Sequence, residues 1–208
     1  MNLLEYYTVD KAGNQEAQKF SVFSLDLKNP ASQAVIVHGL SGNNGWYISP
    51  VSLTLNGQDQ ESGLSGVAYQ LDQQTWQTAT TPVELYAEGL HRVTYHALDA
   101  SGRLEVTHTL TVAIDLTPPQ ILTQLPAELT YGNLALTGLY TVTDAVSQVL
   151  TTSILLNGQP YPGVQSLKLG ENRVEISAVN GAGLSAKRVQ IILVTGGRLY
   201  LPMIHQER

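Results

Sequence analysis

The chain has 208 residues, a formal net charge of −6, no cysteine, and no run of Lys or Arg longer than two. These numbers exclude disulfides and thiolate metal centres and leave no basic face to neutralise a phosphate backbone, so nucleic acid is not an expected partner. At 43% hydrophobic the chain can bury cores, yet only 13% of it is charged, against ~25% in a typical globular protein, and Thr, Ser, Gln, Asn and Gly fill the difference.

Residues 1–30 open the chain with two strands around Asp10-Lys11-Ala12-Gly13-Asn14. An Asp side chain can accept from the backbone two residues on, and Gly accepts positive φ, so this reads as a turn. Pro30, which has no N–H to give a ladder, closes the unit. The same pattern returns 89 residues later without a gap. Tyr6, Asp10, Gly13, Glu16, Asp26, Leu27 and Pro30 match Tyr95, Asp99, Gly102, Glu105, Asp115, Leu116 and Pro119, and Phe23 and Leu25 match Val112 and Ile114. A repeat of this length is expected to be one structural unit. Residues 1–30 are therefore expected to be the closing hairpin of a module. The chain begins in the middle of a repeat, which implies a segment of a longer array. The missing strands are then supplied upstream, or the hairpin leans on the next module or pairs with another chain. Met1–Glu5 has no charged n-region or apolar h-region, so any secretory leader is expected to lie outside it.

The first full module is expected over 31–117. Ala34–Val37 is a short apolar strand, and Ser41-Gly42-Asn43-Asn44-Gly45 is a loop that delivers Trp46-Tyr47. Val51, Leu53 and Leu55, then Val67, Tyr69 and Leu71, alternate with polar residues at the strand period of two. Asp72-Gln73-Gln74 turns toward Trp76, Val83 and Leu85 mark a strand, and Val93, Tyr95 and Ala97 pair with Leu110, Val112 and Ile114 across an Asp99–Gly102 hairpin. Tyr69, Val93, Tyr95, Leu110, Val112 and Ile114 are expected to share one core. Seven short strands without an amphipathic helix predict an antiparallel sandwich.

Asp115-Leu116-Thr117-Pro118-Pro119 marks a boundary, and a second module is expected over 118–195. Its strands centre on Leu134 and Leu136, Ile154 to a tight Asn157-Gly158 turn, Leu167 and Leu169, Val174 to Ala178, and Val189 to Leu193. Gly170, Arg173, Val174, Asn180 and Gly183 repeat Gly89, Arg92, Val93, Asp99 and Gly102, so Asn180 stands where the first module has an Asp. Residues 196–208 are a tail. No apolar run approaches the ~18 residues of a membrane helix.

Trp46-Tyr47, Ser49-Pro50-Val51, Asp59 through Ser62-Gly63, Tyr69-Gln70-Leu71-Asp72, Trp76, Glu88-Gly89-Leu90-His91, Tyr95–Asp99 and Asp115–Pro119 together resemble the bacterial Ig-like repeat appended to large secreted glycosidases and surface proteins. The likeness covers 31–119 well, 1–30 as a half-copy, and 120–195 as a general bacterial Ig-like domain. Ser101 and Arg103 depart from the family's usual Ala and Asn around the hairpin Gly. The resemblance implies tandem immunoglobulin-like antiparallel β-sandwiches, an all-β fold, on a secreted or cell-surface bacterial protein. One branch carries an outer-membrane barrel label; a barrel strand needs ~9–11 residues with a continuous lipid-facing band, and these strands are shorter and carry Ser, Thr and Gln outward. The tail, with Tyr200-Leu201-Pro202, is similar to the ending of many secreted bacterial proteins.

No nucleophile elbow, His-Glu-x-x-His or phosphate loop is present, and Gly181-Ala182-Gly183 falls in a hairpin rather than between a strand and a helix. Asp59 and Glu61 are near neighbours, but acid–base work on a glycoside needs two carboxylates across a cleft. His91, His96 and His108 fall on one hairpin, where His96 and His108 are expected nearly across from each other, a pair without an evident third ligand for a transition metal. Asp115 sits where adhesion arrays place inter-module calcium, yet calcium takes about six to eight oxygens and the linker offers one carboxylate. Trp46, Tyr47 and Trp76 are the candidates for stacking on a sugar; the competing assignment buries Trp46 at one end of the sandwich and packs Trp76 on it. The expectation is thus a non-catalytic spacer, stalk or adhesion segment with no cofactor or metal. Its partners are other domains of a longer parent protein, and a surface glycan or protein. The alternative is an accessory carbohydrate-binding module of a secreted glycoside-active enzyme.

Overall fold

A computed structural model describes residues 1–80, 82–130, 133–161, 163 and 165–196. The Tyr200-Leu201-Pro202 tail lies outside the described residues. Nineteen strands follow one another among the described residues. The first ten are β1 (Asn2–Tyr6), β2 (Lys19–Phe23), β3 (Ala31–His38), β4 (Trp46–Tyr47), β5 (Val51–Gln58), β6 (Leu64–Leu71), β7 (Gln77–Thr78), β8 (Val83–Leu85), β9 (Gly89–Asp99) and β10 (His108–Ile114). The rest are β11 (Gln120–Thr123), β12 (Glu128–Thr130), β13 (Asn133–Leu134), β14 (Tyr140–Thr143), β15 (Val149–Leu156), β16 (Gln159–Pro160), β17 (Gln165–Ser166), β18 (Gly170–Asn180) and β19 (Ser185–Thr195). There is no helix among the described residues.

One strand plan is built twice. A five-stranded sheet ordered β4-β10-β9-β6-β7 accompanies a three-stranded sheet β3-β5-β8. Downstream, a five-stranded sheet ordered β12-β19-β18-β15-β16 accompanies the pairs β11-β14 and β13-β17. In each large sheet a short early strand lies parallel to the last one, β4 on β10 and β12 on β19, while β6 with β9, and β15 with β18 and β18 with β19, are antiparallel. This is the immunoglobulin-like sandwich arrangement. Beyond the expected strands it contains β7, β11, β12, β14 and β16, which are short and carry too few residues to show a period.

Side-chain alternation explains the core. In β9, His91, Val93, Ala97 and Asp99 are buried, and in β18, Asn172, Val174, Ile176, Ala178 and Asn180 are buried. Alternate residues of a strand share a face, so each long strand places a polar residue at both ends of its inward row and apolar residues between. In the second half Leu125, Leu136, Leu156, Leu167, Val174, Ile176, Ile192 and Val194 form one cluster. In the first, Val93, Val112 and Ile114 are buried as expected, whereas Tyr69, Tyr95 and Leu110 are only half-buried. The reason for Tyr95 is its length: the phenol oxygen reaches the Ala34 N–H at 3.4 Å, and the ring stacks on His108 with centroids 5.5 Å apart.

The chain divides into two compact units, Met1–Val37 with Ser52–Val83 and Arg92–Thr111, and His38–Val51 with Glu84–His91 and Val112–Arg208. In the first unit β1 and β2 form a two-stranded hairpin of their own, every residue of the two strands exposed, including Phe20 at 59% and Phe23 at 42%.

Candidate functional site

Trp46 and Tyr47 belong to one unit and Trp76 to the other. β4 lies parallel to the end of β10, with Trp46 beside Ala113 and Tyr47 beside Ile114. Both side chains are half-buried. Tyr47 covers Gly39 so closely that a Cβ there would meet its ring at 2.9 Å, which makes it a packing residue. Trp46 lines an open cleft of about 440 Å³ with Glu88, Leu90, Val146 and Gln148. Trp76 is 45% exposed and tilts at 53° against His96, centroids 4.5 Å apart. The histidines go to separate partners: His91 Nε2 to the Ala87 carbonyl at 2.8 Å, His96 to Trp76, and His108 to Glu105 at 2.9 Å and the Tyr95 ring.

Aspartates organise the turns, and they do so repeatedly. Asp10 Oδ1 accepts from the N–H groups of Ala12 and Asn14, both at 2.9 Å. Asp99 Oδ1 accepts from those of Ser101 at 2.9 Å and Arg103 at 2.8 Å. Asn180 Oδ1 accepts from Leu184 N–H at 2.8 Å. Gly13, Gly102 and Gly183 supply the positive φ that each turn needs, at +88°, +90° and +91°. Glu16 and Glu105 add a second repeated bond, reaching back to the N–H of Thr8 and of Ala97, each at 3.0 Å. The Ser32 hydroxyl and N–H also donate to Glu105. Burial pushes the Glu105 carboxyl up, but these donors and His108 outweigh it and hold it below the usual carboxylate range.

Two further aspartates join the Asn180 turn, and two the Asp99 turn. In the second unit Asp144 Oδ1 accepts from Val146 and Ser147 N–H at 3.1 and 2.9 Å, and Asp115 Oδ1 from Thr117 N–H at 3.1 Å. The Asn180 amide nitrogen sits among their remaining oxygens. It donates to Asp115 Oδ2 at 2.9 Å, Asp144 Oδ2 at 3.0 Å and the Thr117 carbonyl at 3.2 Å. The position considered for a linker calcium at Asp115 is thus filled by an amide.

In the first unit the counterparts are Asp59, whose Oδ1 accepts from Glu61, Ser62 and Gly63 N–H at 3.1, 2.9 and 2.8 Å, and Asp26, which accepts from Lys28 and Ser62 N–H at 3.0 and 3.1 Å. Here the residue in the place of Asn180 is Asp99. One carboxylate oxygen from each of Asp26, Asp59 and Asp99 lies within 4.8 Å of the others. Asp99 is 1% exposed, and its Oδ2 is shielded from solvent with no hydrogen-bond partner among the described residues. Asp59 is therefore part of a cluster with two distant aspartates, and its neighbour Glu61 turns instead to the Leu27 N–H at 3.0 Å and the Lys28 ammonium at 3.0 Å. The signal for the cluster lay in the repeat, which aligns Asp26 with Asp115 and Asp99 with Asn180; nothing in the repeat drew Asp59 to them.

No family model and no curated protein matches the chain. Among solved structures it is similar to the fibronectin(III)-like modules of Clostridium thermocellum CbhA at 12% identity, covering 84% of this chain and all of that one, with a TM-score of 0.35. It is similar to domains 3–6 of Protocadherin Gamma B2 at 12% identity, covering 92% of this chain and 59% of that one, TM-score 0.45. A Ca2+-stabilized adhesin by which an Antarctic bacterium binds ice aligns at 13% identity over 94% of this chain and 56% of that one, TM-score 0.33. The chain is an all-β protein of immunoglobulin-like sandwiches, as its own strand order states.

Proposed function

We propose that the chain is a non-catalytic tandem immunoglobulin-like segment of a secreted or cell-surface bacterial protein, serving as a spacer or adhesion stalk between other domains of a longer parent. The observation that carries this reading is duplication. The same inward row, the same turn bonds and the same parallel edge strand are built twice, so the polar groups that are shielded from solvent hold loops in place. The two modules of the proposal run over 31–117 and 118–195, with the 1–30 hairpin as the closing piece of a further one. Its exposed Phe20 and Phe23 support that assignment, since an isolated two-stranded hairpin is marginal in water.

Pulling single chains between their ends tests the reading. Two force peaks are expected, each releasing a contour of about 260–320 Å, since some 80–90 residues extend at ~3.3–3.6 Å each. A single peak spanning the whole chain overturns the modular proposal. The carbohydrate-binding alternative draws on the exposure of Trp76 and the cleft beside Trp46. Tryptophan fluorescence during titration with soluble glucans and xylans separates the two. No saturable shift supports the spacer, and a saturable shift abolished by Trp46→Ala or Trp76→Ala supports the binding module.

A further inference from the structure

We infer that Asp26, Asp59 and Asp99 form a calcium site. The inference does not depend on the spacer reading; it rests on a comparison the molecule makes with itself. Around Asn180 the amide nitrogen binds two carboxylate oxygens and a backbone carbonyl, so a donor of partial positive charge holds three chain segments together. Around Asp99 the surrounding acceptors are retained and the donor is not. Asp99 Oδ1 keeps its turn bonds to Ser101 and Arg103, which fixes the carboxylate plane and leaves the second oxygen, Oδ2, outside them. That oxygen is solvent-shielded and unpartnered among the described residues, and the three ligand atoms converge within 4.8 Å.

Three carboxylates brought together in this way repel one another, and a buried acceptor without a donor is costly. No Lys, Arg or His nitrogen forms an ion pair with any of the three among the described residues; the nearby Lys28 ammonium is taken by Glu61 at 3.0 Å. A cation resolves both conflicts. All the donors are hard oxygens, with neither imidazole nor thiolate, which selects calcium or magnesium over transition metals. Lys28 holds in the repeat the place of Thr117, whose carbonyl Asn180 uses. Calcium accepts irregular geometry at about 2.3–2.6 Å and completes its shell with water, whereas magnesium requires a near-ideal octahedron at about 2.0–2.1 Å. Asp59 and Asp99 are each held through Oδ1 by N–H groups of the 59–63 loop and the 99–103 turn, which limits how far the three carboxylates can close to that tighter shell. The ion would fasten the segment after the β1–β2 hairpin to that loop and that turn.

The test uses the whole chain, stripped with EDTA and held at constant ionic strength. Calorimetric titration with calcium chloride is expected to show one ion per chain with an affinity in the range of extracellular modules, about 10⁻⁴–10⁻³ M. Thermal unfolding should rise by about 3–6 °C at ten times that concentration, with a smaller response to magnesium. Asp99→Asn recreates the Asn180 arrangement. It should abolish the calcium response and, by donating to Asp26 and Asp59, melt above the calcium-free wild type. Asp26→Asn, which leaves the Asp99 turn intact, should also lose calcium binding and covers the case in which the first variant does not fold. Absence of saturable calcium binding in the wild type, an equal response to magnesium, or undiminished binding in either folded variant overturns the site.

Discussion

At the scale of the residue, length and hydrogen bonding decide roles that hydrophobicity leaves open. Tyr95 looked like core because it stands on the inward row of β9 between Val93 and Ala97. Its ring is long enough to pass through the layer, so it ends half-buried, stacked on His108 with its oxygen at the Ala34 N–H. Tyr95→Phe should cost about 0.5–1.5 kcal/mol, the net worth of one hydrogen bond. Tyr95→Ala should cost about 2–4 kcal/mol, toward or below the lower end of the aromatic truncation range because the site is half-exposed. Denaturant midpoints of the two variants check the order, and equal losses would show that the ring contributes nothing. Glu105 presents a second case. As a Glu between Leu104 and Val106 its only sequence signal is its match to Glu16 in the repeat, yet Ser32, Ala97 and His108 all turn to it. Glu105→Gln should destabilise the protein at neutral pH and less so in acid, where the wild-type carboxylate is itself protonated; an equal loss at both pH values would show that its charge is irrelevant.

At the scale of the element, turns repeat more faithfully than strands. Asp72 and Asn157 are not aligned by any sequence motif that includes both, but each sits at positive φ, +48° and +51°. Each accepts from the first Arg of the following long strand, Asp72 from Arg92 N–H at 2.7 Å and Asn157 from Arg173 N–H at 2.9 Å. Asn and Asp tolerate this conformation because a short polar side chain can bond locally. Asp72→Ala and Asn157→Ala should each cost about 1–3 kcal/mol, from a lost bond plus a disfavoured φ, and glycine at either position should restore part of it. Calorimetric melting of the four variants checks this, and alanine matching glycine would remove the conformational part. The loop at 41–45 was legible only as a loop. Its Asn43 N–H reaches the Ala182 carbonyl and its Asn44 amide the Gly181 carbonyl, both at 2.8 Å. A Cβ on Gly42 would collide with the Ala182 carbonyl oxygen and one on Gly181 with that of Ser147. Such a docking depends on residues more than a hundred positions apart, so no local window could reveal it.

At the scale of the whole molecule, the legible part is what recurs. The 89-residue repeat and the period-two strands sufficed for an all-β fold of immunoglobulin-like sandwiches. The extra short strands and the arrival of Asp59 beside Asp26 and Asp99 were not legible, because they arise from contacts across the fold. The acidic composition has a common thermodynamic consequence. Asp10 is lowered first by the Asn14 side chain, Glu16 by Lys19, Glu61 by the Leu27 N–H and Lys28, and Glu175 by Lys187 and Arg173. A carboxyl whose folded pKa lies below its unfolded value contributes stability that is present above the unfolded pKa and is lost as pH falls through the folded one. Stability should therefore be level above pH ~5 and decline below pH ~4. The midpoint of urea unfolding as a function of pH checks this, and a profile that climbs toward acid would contradict the whole set.

The amide at Asn180 also gives the protein a clock. Asn180 is followed by Gly181, the pairing in which a backbone nitrogen attacks a side-chain amide most readily, closing a succinimide that hydrolyses to aspartate or isoaspartate with loss of ammonia. While the protein is folded, that nitrogen is engaged with the Gln148 carbonyl at 2.9 Å and the amide with Asp115 and Asp144, so ageing is confined to molecules that have opened there. Each molecule that converts to aspartate exchanges a donor for an acceptor between two carboxylates. Heated or long-stored protein should therefore accumulate acidic ion-exchange variants, and peptide mapping should place the change in the earlier-melting fraction at residue 180 rather than at the Asn44-Gly45, Asn56-Gly57 and Asn157-Gly158 pairs, whose asparagines are exposed.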